Sequence, residues 1–338
     1  MKSNEIAKLA GVSRSTVSRV LNNYSNVPEE TRVKVQKVID EYGYTPNQSA
    51  RALAGQANDI IELVIADIDE SLVGSSYRGT NSPYFLETIY SIINQAKLKN
   101  QMVLVNIITD SKEYKKISSN FDTRMIRGGI FVGFPYHTTE INSLVEKGYN
   151  IVAVDNFTEK EAFSYSAKAV NSDNFTGGKI ATQYLIDHGH TKIGFIEGDS
   201  RLSAMERREG FLSAMNDSGL SIIPNSMVKG YFREKVAYQE TLTMLDKTDV
   251  TAIFCSNDIM ALGALKAINE RGLKVPDDIS LIGFDHHDLS SVMKEDLTSV
   301  YIDLDDVSKM CVDGIFESGP FLKYCDPKLY EGNTVRTL

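Results

Sequence analysis

The sequence predicts an α/β protein: a small N-terminal helical head and a hinge helix, then a core of two doubly wound parallel-sheet subdomains. Three observations predict it. From Ile60 onward, apolar strand-like runs alternate with amphipathic helical stretches, the pattern of βαβ units. Before that point only short helical patterns occur. The charge also changes sign along the chain. Residues 1–57 hold eight Lys/Arg against five Asp/Glu, a net +3, whereas the remainder holds 28 against 40, a net −12. At 338 residues the chain is too long for one simple core and is expected to fold as two or three units.

In the head, Glu5–Ala10 offers Ile6, Leu9 and Ala10 as an apolar face, and Gly11 ends the pattern. Ser13 is suited to cap a second helix with a core face of Val17, Val20 and Leu21, spaced i, i+3, i+4. Its outward face then carries Arg14, Ser15, Ser18, Arg19 and Asn22. The third helix opens at Pro28 with Glu29 and Glu30, runs a stripe of Val35, Val38, Ile39 and Tyr42, and stops at Gly43. Two helices joined by a tight Gly-containing turn, the second exposing arginines, form a helix-turn-helix. A basic head on an acidic body points that face at a polyanion, DNA. The alternative is a three-helix bundle with a solvated polar face.

Asn47 can cap a short helix through Ala54, which Gly55 ends. At about eight residues it is too short to be stable alone in water. It reads either as a linker with helical tendency or as a hinge that orders on docking.

In the core, IIELVIADI, MVLVNII, GGIFVGF, NIVAVDN, KIGFIEG, TAIFCSND, ISLIGFD and LTSVYID read as buried parallel strands. Ligands of such sheets bind beyond the carboxyl ends of the strands. Several runs end in polar residues there: Asp155 and Asn156, Asn257 and Asp258, Asp285 with His286 and His287.

Catalytic and cofactor signatures are missing. There is no GxSxG elbow, HExxH, GxGxxG or EF-hand loop. Asp173–Ile180 has the outline of a phosphate loop, but Asp173 stands for its first glycine and Ile180 for its Ser/Thr, leaving a helix entry. The adjacent histidines of DHHD point opposite ways on an extended segment, and His188 and His190 flank a helix-ending Gly189. No catalytic residue, metal site or cofactor is therefore expected. No run of about 18 apolar residues exists to span a bilayer. No apolar secretory segment follows the N-terminus, and the three cysteines, Cys255, Cys311 and Cys325, form no framework. A cytoplasmic location is expected. The polar strand ends, Arg207 and nearby aromatics suit a sugar or another small polar ligand.

GVSRSTVSRVLNN, with VPEETRVKVQKVIDEYGYTPNQSARALAG behind it, resembles the head and hinge of the lactose/galactose-repressor (LacI/GalR) family of bacterial transcriptional regulators. The resemblance continues through VNSDNFTGGKIATQYLIDHGHTKIGFIEG, RREGF, SNDIMALGALKAINERGLKVPDDISLIGFD and LTSV, so it covers nearly the whole chain. It implies a periplasmic-binding-protein-like core with an effector in its cleft. It also implies base reading by Arg14, Ser15 and Arg19, and phosphate contacts by Ser13, Thr16, Ser18, Asn22 and Thr31. Leu53 matches the hinge leucine that wedges into the minor groove, with Asn47, Ala50 and Arg51 around it. In the cleft, Asp155, Arg207, Asn257 and Asp285 match polar effector contacts. Tyr84 and Phe85 match the loop that closes over the ligand, and Phe232 an aromatic wall. Leu304 and Ser172 stand where some members carry aromatics.

The family picture implies a helix-turn-helix domain at 1–46, a hinge helix at 47–57 and a core at 58–338. The core divides into an N-subdomain of about 58–162 and 293–322 and a C-subdomain of about 163–292 and 323–338. It implies a homodimer on a pseudopalindromic double-stranded operator, repressing carbohydrate-utilisation genes under control of a sugar-like effector. No heptad tail follows the core, so a dimer is expected rather than a coiled-coil tetramer. The competing functions are a global regulator that reads a phosphorylated partner protein, and a sugar-binding protein or enzyme on the same core.

Overall fold

The computed structural model describes residues 3–21, 24–44, 59–66, 82–123, 125–136, 139–287 and 293–338. The chain separates into two compact units that divide between Asn58 and Asp59.

The head contains α1 (Ser3–Leu9), α2 (Arg14–Leu21) and α3 (Glu29–Tyr42). Gly11, at φ +62°, makes the turn between α1 and α2 in the left-handed region that side chains with a Cβ avoid. Ser13 Oγ accepts the Thr16 N–H at 3.1 Å and caps α2. Gly43, at φ 57°, closes α3. The core of the head is Ile6, Ala7, Ala10, Val17, Val20, Val27, Val35 and Ile39. Two expected core residues differ. Leu9 and Tyr42 are exposed, because α1 turns Ala7 rather than Leu9 inward and Tyr42 sits on the last, outward-facing turn of α3.

Among the described residues the second unit holds two six-stranded sheets. Its strands are β1 (Ile60–Ala66), β2 (Met102–Ile108), β3 (Gly128–Val132), β4 (Ile151–Val154), β5 (Lys168–Ser172), β6 (Ile193–Glu197), β7 (Met227–Lys229), β8 (Ala252–Cys255), β9 (Ser280–Phe284), β10 (Thr298–Tyr301), β11 (Phe321–Cys325) and β12 (Lys328–Tyr330). The helices are α4 (Pro83–Leu98), α5 (Tyr114–Asp122), α6 (Thr139–Glu146), α7 (Glu159–Ser164), α8 (Asn174–Asp187), α9 (Leu202–Asp217), α10 (Glu234–Lys247), α11 (Asp258–Glu270) and α12 (Leu304–Phe316). The first sheet runs β11-β5-β4-β3-β1-β2 and the second β12-β10-β9-β8-β6-β7. All ladders are parallel except β10 with β12.

This topology corrects the expected subdomain limits. β5 hydrogen-bonds β4 and so belongs to the first sheet. β10 pairs with β9 and belongs to the second, while α12 returns to pack on the first-sheet helix α4. The β11 strand, through Cys325, stays with the first sheet. The chain therefore crosses between the halves after Ser172, after Tyr301 and after Cys325. A second correction concerns β2. Among the described residues it lies at the sheet edge, bonded to β1 alone, with Met102, Leu104, Val105 and Ile107 exposed rather than buried.

In the second half, α8 and α9 meet over two glycines. A Cβ on Gly178 would lie 2.3 Å from the Arg207 carbonyl oxygen, and one on Gly210 would lie 2.1 Å from that of Phe175. Both obstacles are backbone, so neither can swing aside. Gly178→Ala is expected to force the helices apart and lower stability by about 1–3 kcal/mol or more, the cost of overpacking a tight core; urea unfolding of the intact protein measures it.

Candidate functional site

Side chains from both sheets meet in one cavity beyond the carboxyl ends of their strands. It is lined by Tyr84, Phe85, Phe134, Asp155, Arg201, Arg207, Tyr231, Phe232, Asn257 and Asp285, among others, and its volume is about 90 Å3. On this measure one water needs roughly 10–15 Å3, so the space suits a small polar solute rather than a peptide. All seven cleft residues expected from sequence line this cavity.

Each polar group is held by local structure. Asp155 follows β4 in a left-handed conformation, φ 48°. Its Oδ1 accepts the Ser172 N–H at 2.6 Å and its Oδ2 accepts the Ser172 hydroxyl at 3.3 Å. Asn257 caps α11 through its Oδ1, which accepts the Met260 N–H at 2.9 Å. Arg207, buried on α9, donates from Nε to Asn174 Oδ1 at 2.9 Å and from Nη1 to the Ser256 carbonyl at 2.5 Å. Its Nη1 also pairs with Asp285 Oδ1 at 3.4 Å. The guanidinium carbon stacks 3.5 Å from the centre of the Phe284 ring.

The aromatic walls come from both halves. Tyr84 and Phe85 meet edge to face at 5.5 Å, and Tyr231 and Phe232 follow β7 with positive φ angles of 54° and 57°. Arg201 lies between the walls, 5.7 Å from the Phe85 ring and 5.6 Å from that of Phe232. It donates across the cleft to the Gly133 carbonyl at 3.1 Å and pairs with Asp199 at 3.6 Å. Sequence reasoning missed Arg201, Tyr231 and Phe134. Their place in the cleft follows from loop conformation and cross-sheet packing, which leave no periodic trace. Ser172 holds Asp155, and aromatic surface enters instead from Phe134, Tyr231 and Phe232.

Burial sets the protonation of the site. It raises Asp155 to about 6, against the opposing bonds from Ser172 and the attraction of Arg207. It raises Glu206 on α9 to about 8, with the Asp155 charge adding to the effect, and pushes the Tyr84 hydroxyl upward. Among the described residues no group of histidines, cysteines and carboxylates is arranged to hold a metal. His188 Nδ1 instead lies 2.8 Å from the Tyr184 carbonyl at the end of α8, and His190 lies 2.9 Å from Thr251 Oγ1. Asp173 caps α8 by accepting the Thr176 N–H at 2.9 Å, as a helix entry does.

In the head, α2 exposes Arg14, Ser15, Ser18 and Arg19 opposite the buried Val17 and Val20. Ser13 Oγ lies within hydrogen-bond distance of Ser15 Oγ, at 2.7 Å, and of Thr16 Oγ1, at 2.8 Å. Thr31 is half-buried in the first turn of α3. Asn22, Asn47, Ala50, Arg51 and Leu53 lie outside the described residues, as does the hinge as a whole.

Residues 4–47 match the family model for bacterial regulatory proteins of the lacI family, and residues 182–317 match that for the periplasmic binding protein-like domain. The HTH-type transcriptional repressor PurR of Pasteurella multocida (strain Pm70) is 32% identical over 303 residues, covering 88% of this chain and 85% of that protein. The chain belongs to the lacI family of bacterial regulatory proteins. The HTH-type transcriptional regulator DegA of Bacillus subtilis (strain 168) is 33% identical over 299 residues, with 88% and 85% covered. The lac repressor dimer bound to operator and the anti-inducer ONPF superposes with a TM-score of 0.80, 25% identity and 98% of each chain covered. The CelR–cellobiose complex shares the fold, with a TM-score of 0.73, 23% identity and 99% of each chain covered. This regulator is thus a DNA-binding transcription factor with a helix-turn-helix head and an α/β core of two parallel-sheet halves. Its relatives are regulators rather than enzymes, and no described helix is long and apolar enough to cross a membrane.

The raised carboxyls give a definite pH dependence. Asp155 and Glu206 bind protons more tightly folded than unfolded, so stability falls as pH rises from their ordinary values of 3.8 and 4.5 through about 8. Urea unfolding is expected to show a higher midpoint at pH 5 than at pH 8.5. Asp155→Asn and Glu206→Gln should each flatten that slope.

Proposed function

We propose that this regulator is a cytoplasmic, non-enzymatic repressor of carbohydrate-utilisation genes, and that a small sugar-like effector in the cleft sets its affinity for an operator. The observation that carries this reading is the composition of the cavity: a ligand there would touch Tyr84, Phe85 and Asp155 from the first half and Arg207, Phe232, Asn257 and Asp285 from the second. Carboxylates, an amide and a guanidinium offer acceptors and donors to hydroxyls, while aromatic rings suit the apolar face of a sugar. The binding of cellobiose by CelR favours the same chemistry. A ligand that bridges both halves favours the closed arrangement, and its differential affinity for two arrangements is what couples it to DNA.

At the DNA, Arg14, Ser15 and Arg19 would read base edges in the major groove. Ser13, Thr16, Ser18, Asn22 and Thr31 would anchor phosphates. In the hinge, Leu53 would wedge into the minor groove, with Asn47, Ala50 and Arg51 contacting DNA beside it. The proposed partner at the protein level is a second copy, giving a homodimer on a pseudopalindromic site. An exposed apolar stripe on α4, Leu86, Tyr90 and Ile93, lies beside the exposed edge strand β2. Such a face is a surface for a like chain to cover.

A thermal-shift screen of neutral sugars and sugar phosphates tests the effector. At a concentration 100 times its dissociation constant a binder stabilises the fold by ~2.7 kcal/mol. Asp285→Asn is expected to abolish the shift, and no shift with any sugar contradicts the reading. For DNA, Arg19→Ala is expected to weaken operator binding by about 1–3 kcal/mol while leaving random DNA nearly unaffected. An equal loss on both would restrict Arg19 to phosphate contact.

A further inference from the structure

Behind the cleft floor, charges of alternating sign run from the first half of the core into the second. Glu87 lies on α4, one turn beyond Tyr84, and its Oε1 is 3.2 Å from His287 Nδ1. His287 Nε2 is 3.6 Å from Asp285 Oδ2, and Asp285 Oδ1 is 3.4 Å from Arg207 Nη1. The His287 side chain is almost wholly buried, whereas Glu87 is half exposed. A further carboxylate, Asp258 at the start of α11, accepts the His287 backbone N–H on Oδ2 at 2.7 Å and the Ser299 hydroxyl on Oδ1 at 2.7 Å. It fits there because residue 283 is glycine: a Cβ at that position would stand 2.1 Å from Asp258 Oδ1.

We propose that Glu87 and His287 form an ionic latch across the core, in which a charged His287 positions the Asp285 carboxylate and ties it to helix α4 of the other half. Both oxygens of Asp285 then face a cation, Arg207 on one side and His287 on the other, which fixes the carboxylate's orientation toward the cavity. The groups facing His287 among the described residues are Glu87 from α4, Asp258 from α11, and Asp285 and His286 from its own segment. Burial opposes the charge on His287. The Asp285 carboxylate 3.6 Å away, the hydrogen bond to Glu87 and the attraction of Asp258 outweigh it, pushing the imidazolium up to about 10. Asp258 moves the other way in charge: burial and the nearby Asp285 raise it to about 7. The surrounding carboxylates thus favour the charged form of His287 at neutral pH. Its stabilisation is full below its unfolded value of 6.5 and is lost as pH rises toward about 10. The link from latch to effector rests on the reading of the cleft given above, but the latch itself is testable without ligand or DNA.

Full-length protein labelled on its five histidines is titrated by NMR, with hydrogen–deuterium exchange measured on the same samples. His287 is expected to remain charged at pH 8. Glu87→Gln, at a half-exposed site, is expected to reduce its proton affinity by about tenfold. The same substitution should speed backbone exchange across residues 280–287, in the opposite half from residue 87. A His287 that is neutral at pH 7 overturns the proposal. So does an unchanged titration, and so does a lowered titration with exchange at 280–287 unaltered, which would make Glu87 a mere electrostatic neighbour. None of these outcomes depends on whether a sugar binds.

Discussion

The buried guanidinium of Arg207 is the constraint around which the second half of the core is arranged. A charge removed from water is tolerated only when its donors are paired, and stripping one partner from such a site costs about 3–5 kcal/mol. Asn174, the Ser256 carbonyl, Asp285 and the Phe284 ring all close on this one group. They come from the start of α8, the loop after β8 and the end of β9. Satisfying one side chain therefore fixes three strand ends at once. The backbone of the same residue sits against Gly178, so the α8–α9 spacing and the floor of the cleft share a single anchor.

From that anchor the charge pattern extends outward. Asp285 is shared between Arg207 and His287, and His287 reaches Glu87 on a helix of the other half. Arg201 makes a second crossing, from the loop after β6 to the Gly133 carbonyl after β3. Polar contacts thus cross between the halves beside the cavity, in addition to the buried apolar cluster that contains residues of both sheets.

Much of this was legible in the sequence. The strands with continuous apolar runs, such as IIELVIA and GGIFV, announced themselves because a strand buried on both faces has no polar alternation. The strands that escaped notice were β5, β7, β11 and β12. They are short or carry polar residues, as Lys168, Asn171 and Ser172 do in β5, and only pairing with a distant neighbour makes them strands. Pairing also decided the subdomain limits, since nothing local tells β10 to join β9. In the cleft, residues at strand ends with chemistry in their side chains were readable. Arg201, Tyr231 and the Glu87–His287 pair were not, because they depend on positive φ angles and on contacts between segments about 200 residues apart.

The head shows the same division. Val17 and Val20 were fixed by helical spacing, and the basic, hydroxyl-rich face of α2 followed as their complement. Leu9 and Tyr42 failed because a very small domain has more apolar residues than interior. Head and core together make a regulator in which a small ligand and a DNA site compete or cooperate through one chain. Linkage requires that coupling to be reciprocal. Calorimetric titration of a stabilising sugar into the free protein and into its operator complex tests this most directly. The account predicts dissociation constants that differ by about 5- to 150-fold, the usual range for such coupling. Equal constants in the presence and absence of operator would contradict it.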